Sequence, residues 1–221
     1  MEEPIPLQRN TMPTRTVSRR ATNALMLVRA LIAAVAAFVV TFVQNRPGEF
    51  AVTALQCFLI ATFAYFIVEM VVRGLSAKRV LLALSYLVGA GLALLLPGTA
   101  DERFHMSLLI WAAAAGILEL VGGLMSRGTE GARDQITIGV LTCVLALATL
   151  IVSPEYALDY FVKDANQSFT LTGTIVGVGL FGGWAAIIAV YLGIGAFSPA
   201  PKNVADAKNA TATNTVTKDA A

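Results

Sequence analysis

Phe50–Val72 reads FAVTALQCFLIATFAYFIVEMVV, a stretch in which Glu69 is the only charged side chain. The hydrocarbon core of a bilayer, about 30 Å thick, is crossed by roughly 20 apolar residues at a helical rise of about 1.5 Å each. Water is missing at that depth, and an α-helix satisfies its own backbone N–H and C=O groups. The stretch therefore predicts a membrane-spanning helix. Five others obey the same rule: Ala24–Val43, Val80–Leu96, Met106–Met125, Ile136–Val152 and Leu171–Phe197. Two of them are short and draw on flanking polar turns, whereas the last is long enough to tilt.

Working outward, the whole chain of 221 residues has the same character. Apolar residues make up 57% and charged ones 14%, against about 25% charged in an ordinary soluble domain, and the mean hydropathy is +0.72. A cleavable signal peptide competes for the first tract, but Ala33, Ala34, Ala36 and Ala37 lie in its middle and Phe38–Val43 continues it. A signal peptide places its small residues at the end of a shorter apolar run. A span is expected instead.

Cationic residues bias the loops that carry them to the cytoplasm. Arg9, Arg15, Arg19 and Arg20, then Arg73, Lys78 and Arg79, then Arg127 and Arg133, then Lys202, Lys208 and Lys218 fall on alternate connections and both tails. The intervening loops hold only Arg46, Arg103 and Lys163. This predicts an all-α polytopic membrane protein of the cell inner membrane, with six helices and both ends in the cytoplasm. Its partner is the lipid bilayer, with a homo-oligomer or a membrane complex as further possibilities and no nucleic acid. The tails, residues 1–23 and 198–221, read as disordered, the second being rich in Ala, Thr, Asn and Lys.

An internal repeat of fifty residues is legible. Arg29 and Arg79, Pro47 and Pro97, Gly48 and Gly98, and Glu69 and Glu119 all share that offset. A third copy is degenerate: Arg133 precedes Pro154, and Ala189 stands where the glutamate should be. The expected units are three tandem hairpins in one orientation, 24–74, 75–128 and 129–197, the third with a long outer loop over 153–170. Parallel repeats of this kind rotate about an axis along the membrane normal. Proline followed by glycine suits the outer turns, since proline cannot continue a helix and glycine adopts turn dihedrals.

Few residues can carry chemistry. Glu69 and Glu119 are the only carboxylates in the apolar tracts, and a carboxylate at that depth is costly unless paired, hydrated or protonated. One reading makes them a proton- or cation-binding pair facing the interior. The favoured reading is structural: Glu69 pairs with Arg73 one turn on, and Glu119 bonds to neighbouring helices. Arg29, by analogy with Arg79, is expected to snorkel to headgroups at the cytoplasmic edge, with an internal ion pair as the other reading. His105 is expected to be an exposed interfacial residue, a pH-sensitive contact being its rival.

Small residues predict close packing of helices: Gly173 with Gly177, Gly179 with Gly183, Ala112 with Gly116, and Ala33 with Ala37. The default is packing inside the bundle, and dimerisation is the alternative. Cys57 and Cys143 read as small core residues. No Cys/His cluster suggests a metal, and no cofactor is expected. In the outer loop, Ser153-Pro154-Glu155 resembles a helix start, and Tyr156, Tyr160 and Phe161 follow at helical spacing. A short helix lying in the interface is expected there, or a lid or docking element. No nucleophile, base and orienting group recur together, so no enzyme activity is expected.

Two segments carry a family resemblance. Gly116-Ile117-Leu118-Glu119 runs on to Arg127, Phe66-Ile67-Val68-Glu69 runs on to Arg73, and Gly89-Ala90-Gly91 leads to Pro97. Together Ala64–Gly74 and Gly116–Gly128 resemble the short repeat of the HdeD-like acid-resistance membrane proteins of bacteria, over about residues 25–197 of this chain. The chain departs from that pattern in its weak third copy, its longer fifth loop and its tails. The resemblance implies a six-helix inner-membrane protein associated with stress tolerance, and the leading reading is a non-enzymatic protein of that kind serving stress tolerance or acting as an envelope scaffold. A proton- or cation-coupled transporter or channel using Glu69 and Glu119 is the rival reading, and an accessory subunit of a membrane complex is the third.

Overall fold

A computed structural model describes residues 18–43, 47–129, 131–162 and 166–198. Six helices account for most of them: α1 (Arg19–Phe42), α2 (Gly48–Arg73), α3 (Ala77–Leu95), α4 (Ala100–Met125), α5 (Ala132–Ile151) and α6 (Gly173–Phe197). Each is long and apolar enough to cross a bilayer, and the protein is a polytopic, predominantly helical membrane protein. Side chains such as Phe38, Val71, Ile151 and Phe197 are mostly exposed. So wide an apolar surface is tolerable where hydrocarbon, not water, surrounds it.

Local chemistry sets the ends. Ser18 accepts from the Ala21 N–H and Thr172 from that of Ile175, opening α1 and α6. α1 therefore begins at Arg19, inside the segment expected to be a disordered tail, and residues 1–17 and 199–221 lie outside the described residues. α4 starts six residues before its apolar tract, because Thr99 and Glu102 form a reciprocal capping box. At the far end of α2, Gly74 takes φ 85°, a conformation open to glycine without steric cost.

Polar ties between helices fix the layout. At one end Asn23 of α1 donates to the Ala196 carbonyl of α6 (2.9 Å), Tyr191 of α6 to Asp134 of α5 (2.8 Å), and Lys78 of α3 to the Gly122 carbonyl of α4 (3.3 Å). At the other end Arg103 of α4 meets Glu49 of α2 at 3.3 Å, and Thr174 of α6 donates to Asp101 of α4. Successive helices therefore run antiparallel, and the described chain ends lie at the same end of the bundle.

The helices close into a ring. The most extensive seams join α4 to α5 and α1 to α6, while α5 and α6, consecutive in the chain, touch only lightly. Glycine explains the first seam. A methyl on Gly139 would run into the Leu120 backbone, one on Gly116 into the Cys143 backbone (2.8 Å), and one on Gly123 into the Ile136 nitrogen (2.8 Å). In lipid, where burial of apolar surface gives helices no drive to associate, such backbone approach is what holds them. α1 meets α6 through buried Ala30, Ala33 and Ala37, with Val40 against Gly182.

The centre is aromatic. Phe58 of α2 lies 5.7 Å from Trp111 of α4, 5.3 Å from Phe181 and 5.6 Å from Trp184 of α6. Tyr86 of α3 adds an edge contact to Trp111 at 5.3 Å. Edge-to-face pairs of this kind contribute about 0.5–1.5 kcal/mol each beyond their burial.

One element departs from expectation. The outer connection holds no interfacial helix but a β-hairpin, β1 (Ala157–Val162) paired antiparallel with β2 (Gln167–Thr172). Leu158, Tyr160 and Leu171 alternate with Asp159, Thr170 and Thr172, a period of two that overrides the helical spacing of the aromatics. Asn166 takes φ 49°, a turn conformation that asparagine tolerates. Asp159 accepts from the Thr170 hydroxyl across the strands (2.5 Å).

Candidate functional site

Four helices bring their charged and phenolic side chains together on the chain-end side of the aromatic centre. Arg29 of α1 is an ion-pair partner and hydrogen-bond donor to Oε1 of Glu119 on α4. Its guanidinium lies over the Phe66 ring of α2, 5.5 Å from the centroid, a cation–π placement. Tyr65 of α2 and Tyr86 of α3 stand within electrostatic reach of Arg29. Glu119 is 1% exposed, and its second oxygen, Oε2, has no partner among the described residues.

Arg29 thus does not snorkel to the membrane edge. It turns inward, because Glu119 would otherwise be an unpaired charge in hydrocarbon, a state far costlier than a bent arginine stem. Glu119 itself sits where its structural reading put it, bonded to a neighbouring helix. Glu69 forms the expected pair with Arg73 at 3.5 Å, and Arg79 of α3 joins it at 3.6 Å. Glu69 and Glu119 are near enough to interact electrostatically, but each has its own arginine.

The remaining candidates divide. A methyl on Gly173 would run into the Ser153 carbonyl and one on Gly177 would come within 3.0 Å of the Phe104 ring, while Ala112 is fully buried beside Gly116 on the α4 seam. Gly179 and Gly183 behave otherwise: nothing stands within 4 Å of a methyl placed on either, so they face outward and not into the bundle. His105 is 5% exposed, buried on the same face of α4 as Leu108 and Ala112, not exposed at the interface. The early start of α4 puts it more than a turn inside the helix. Cys57 is exposed, on the face of α2 toward the open cleft beside α1 instead of in the core, and Cys143 is half-buried against Gly116.

An apolar cavity of about 510 Å³ opens between α1 and α2, lined by Leu31, Val35, Phe50, Cys57, Phe58 and Phe181 among others. The Thr53 hydroxyl at its wall is already donated to the Glu49 carbonyl (2.7 Å), so the lining suits hydrocarbon. Among the described residues no three His, Cys, Asp or Glu side chains converge as metal ligands. Comparison with models of protein families, with curated proteins and with solved structures finds no match for this chain.

Proposed function

We propose that the chain is a non-catalytic bacterial inner-membrane protein of the HdeD-like kind, with both ends in the cytoplasm. In this reading it serves stress tolerance, acid stress in particular, or acts as a scaffold in the envelope. One observation carries the proposal. Both membrane carboxylates are neutralised by arginines within the bundle, Glu119 by Arg29 and Glu69 by Arg73 and Arg79, directly beside a centre filled by five aromatic rings. Charges so matched hold helices together, and a filled centre offers no path for a hydrated ion.

Proteoliposomes test it. Under a pH gradient, purified protein is expected to pass protons no faster than protein-free vesicles, and Glu119→Gln is expected to change nothing. A proton- or cation-coupled transporter is the second reading, favoured by the unpartnered Oε2 of Glu119. A gradient-driven flux that Glu119→Gln abolishes would establish that reading and discard the first.

Orientation is tested separately. Reporters fused after Gly98 and at the C-terminus are expected to fall in opposite compartments, the second cytoplasmic. The same compartment for both contradicts three hairpins of like orientation.

A further inference from the structure

α1 leaves room beside α2. Its buried Ala30, Ala33 and Ala37 lie against α6, and it touches α2 far less. The stripe that α2 turns toward it is small: Thr53, Ala54, Cys57 and Ala61 recur every three or four residues, on one side of the helix. α1 presents Leu31, Val35 and Val39 to the same space at intervals of four. The cavity of about 510 Å³ is therefore a groove that follows both helices, and buried Phe58 and Phe181 of the aromatic centre form its inner wall.

Its dimensions select an occupant. From Phe50, in the first turn of α2, to Ala61 the groove runs for about 16 Å at a rise of about 1.5 Å per residue. That is close to half of a hydrocarbon core about 30 Å thick, the depth of one leaflet. Spread over this length, 510 Å³ leaves a cross-section of about 30 Å². A helix with its side chains, about 10–12 Å wide, needs about 80 Å² or more. A single extended hydrocarbon chain, whose carbons make contact at about 4 Å, fits.

The walls and the mouth agree with that choice. Leu31 and Val35 are 64% and 54% exposed, so the groove opens sideways to the surrounding hydrocarbon. The Thr53 hydroxyl, donated to the Glu49 carbonyl, is closed to an incoming polar group. One turn before Thr53 on the same stripe, Glu49 is 75% exposed and meets Arg103 at 3.3 Å. That carboxylate repels the acid end of a free fatty acid, whereas the pair offers both signs to a zwitterionic headgroup.

We propose that the groove between α1 and α2 binds one acyl chain of a zwitterionic phospholipid, drawn from the leaflet at the β-hairpin end. The chain lies along the small stripe of α2 and packs against Phe58 and Phe181. The site is independent of whether the protein moves ions.

Tryptophan fluorescence tests it. The two tryptophans of the chain, Trp111 and Trp184, are buried, with ring centroids 5.7 and 5.6 Å from that of Phe58. The full chain is placed in nanodiscs of phosphatidylcholine, either plain or brominated midway along its chains. Phospholipid still held after transfer to detergent is counted by native mass spectrometry. Wild type is expected to be quenched by the brominated lipid and to retain one phospholipid. Cys57→Phe and Val35→Phe plug the groove from opposite walls, and each is expected to weaken both quenching and retention about five-fold, through the packing contacts that the ring takes over. Both positions are exposed, so the ring enters the groove and not the core, and an unchanged circular dichroism spectrum checks the fold. Leu147→Phe places the same ring at an exposed position on α5 and is expected to match wild type. Equal quenching in Cys57→Phe and Leu147→Phe reduces the occupant to lipid passing over the surface and overturns the proposal. Wild type that retains no phospholipid overturns it on its own, as does a fatty acid recovered in place of the phospholipid, or a dimer that carries none.

Discussion

Arg29→Ala is expected to destabilise the bundle by about 3–5 kcal/mol, the cost of leaving a buried charge without its partner. Glu119 is 1% exposed and takes its one charge-assisted bond from Arg29. Truncating the arginine leaves the carboxylate beside Tyr86 with no cation in bonding reach, because Arg73 and Arg79 are held at Glu69. The converse change is milder. Glu119→Gln frees an arginine that is already 14% exposed and has a stem long enough to reach the membrane edge. The double variant Arg29→Leu with Glu119→Leu removes both charges and is expected to recover most of the loss. Unfolding by denaturing detergent in mixed micelles measures all three. A double variant as unstable as Arg29→Ala would show that the pair contributes packing shape and not charge balance.

Gly139→Ala is the second large effect, expected at about 1–3 kcal/mol for a single methyl forced into a filled space. The methyl would meet the Leu120 backbone, which has no flexible end to swing aside, at the tightest part of the α4–α5 seam. Gly179→Ala is the matched control. It adds the same methyl to α6 where nothing stands within 4 Å, and is expected to be neutral or slightly stabilising, since alanine favours a helix by up to about 1 kcal/mol over glycine. Equal losses at the two positions would mean that glycine acts through the backbone and not through the seam.

These contrasts show which parts of the structure are legible in one sequence. The spans are, because charge depletion over about 20 residues has no soluble counterpart. Only their ends moved, and the shift at α4 was written in Thr99-Ala100-Asp101-Glu102, a capping signature outside the apolar tract. The hairpin over 157–172 was legible in principle. Alternation of Leu158, Tyr160 and Leu171 with Asp159 and Thr170 competes with a helical aromatic spacing in the same short segment, and only strand pairing decides between them.

The inward turn of Arg29 illustrates what is not local. In the fifty-residue register, Arg79 pairs with Glu69 of the helix before it. The matching position for Arg29, around the ring on α6, is Ala189. Lacking that partner, Arg29 reaches Glu119 on α4, a contact between residues ninety positions apart. Local spacing marks which residues carry charge, whereas the choice between membrane edge and interior depends on which partner the assembled ring leaves open. The outward placement of Gly179 and Gly183 has the same origin: a small-residue pattern says that a backbone approach is possible, not which side of the helix is occupied.

The seam between α1 and α6 has a consequence for how the chain could be rewired. The first and last helices of the described chain share one of the two most extensive seams in the ring, tied by Asn23 and the Ala196 carbonyl. Joining the two tails and cutting the chain in the β-hairpin would therefore preserve every helix-to-helix seam. It would make α6 the first helix in the chain and move both termini to the hairpin end of the bundle, opposite the Asn23–Ala196 tie. The helix arrangement is a closed circle, joined between α1 and α6 by contact where every other neighbouring pair is also joined by a loop.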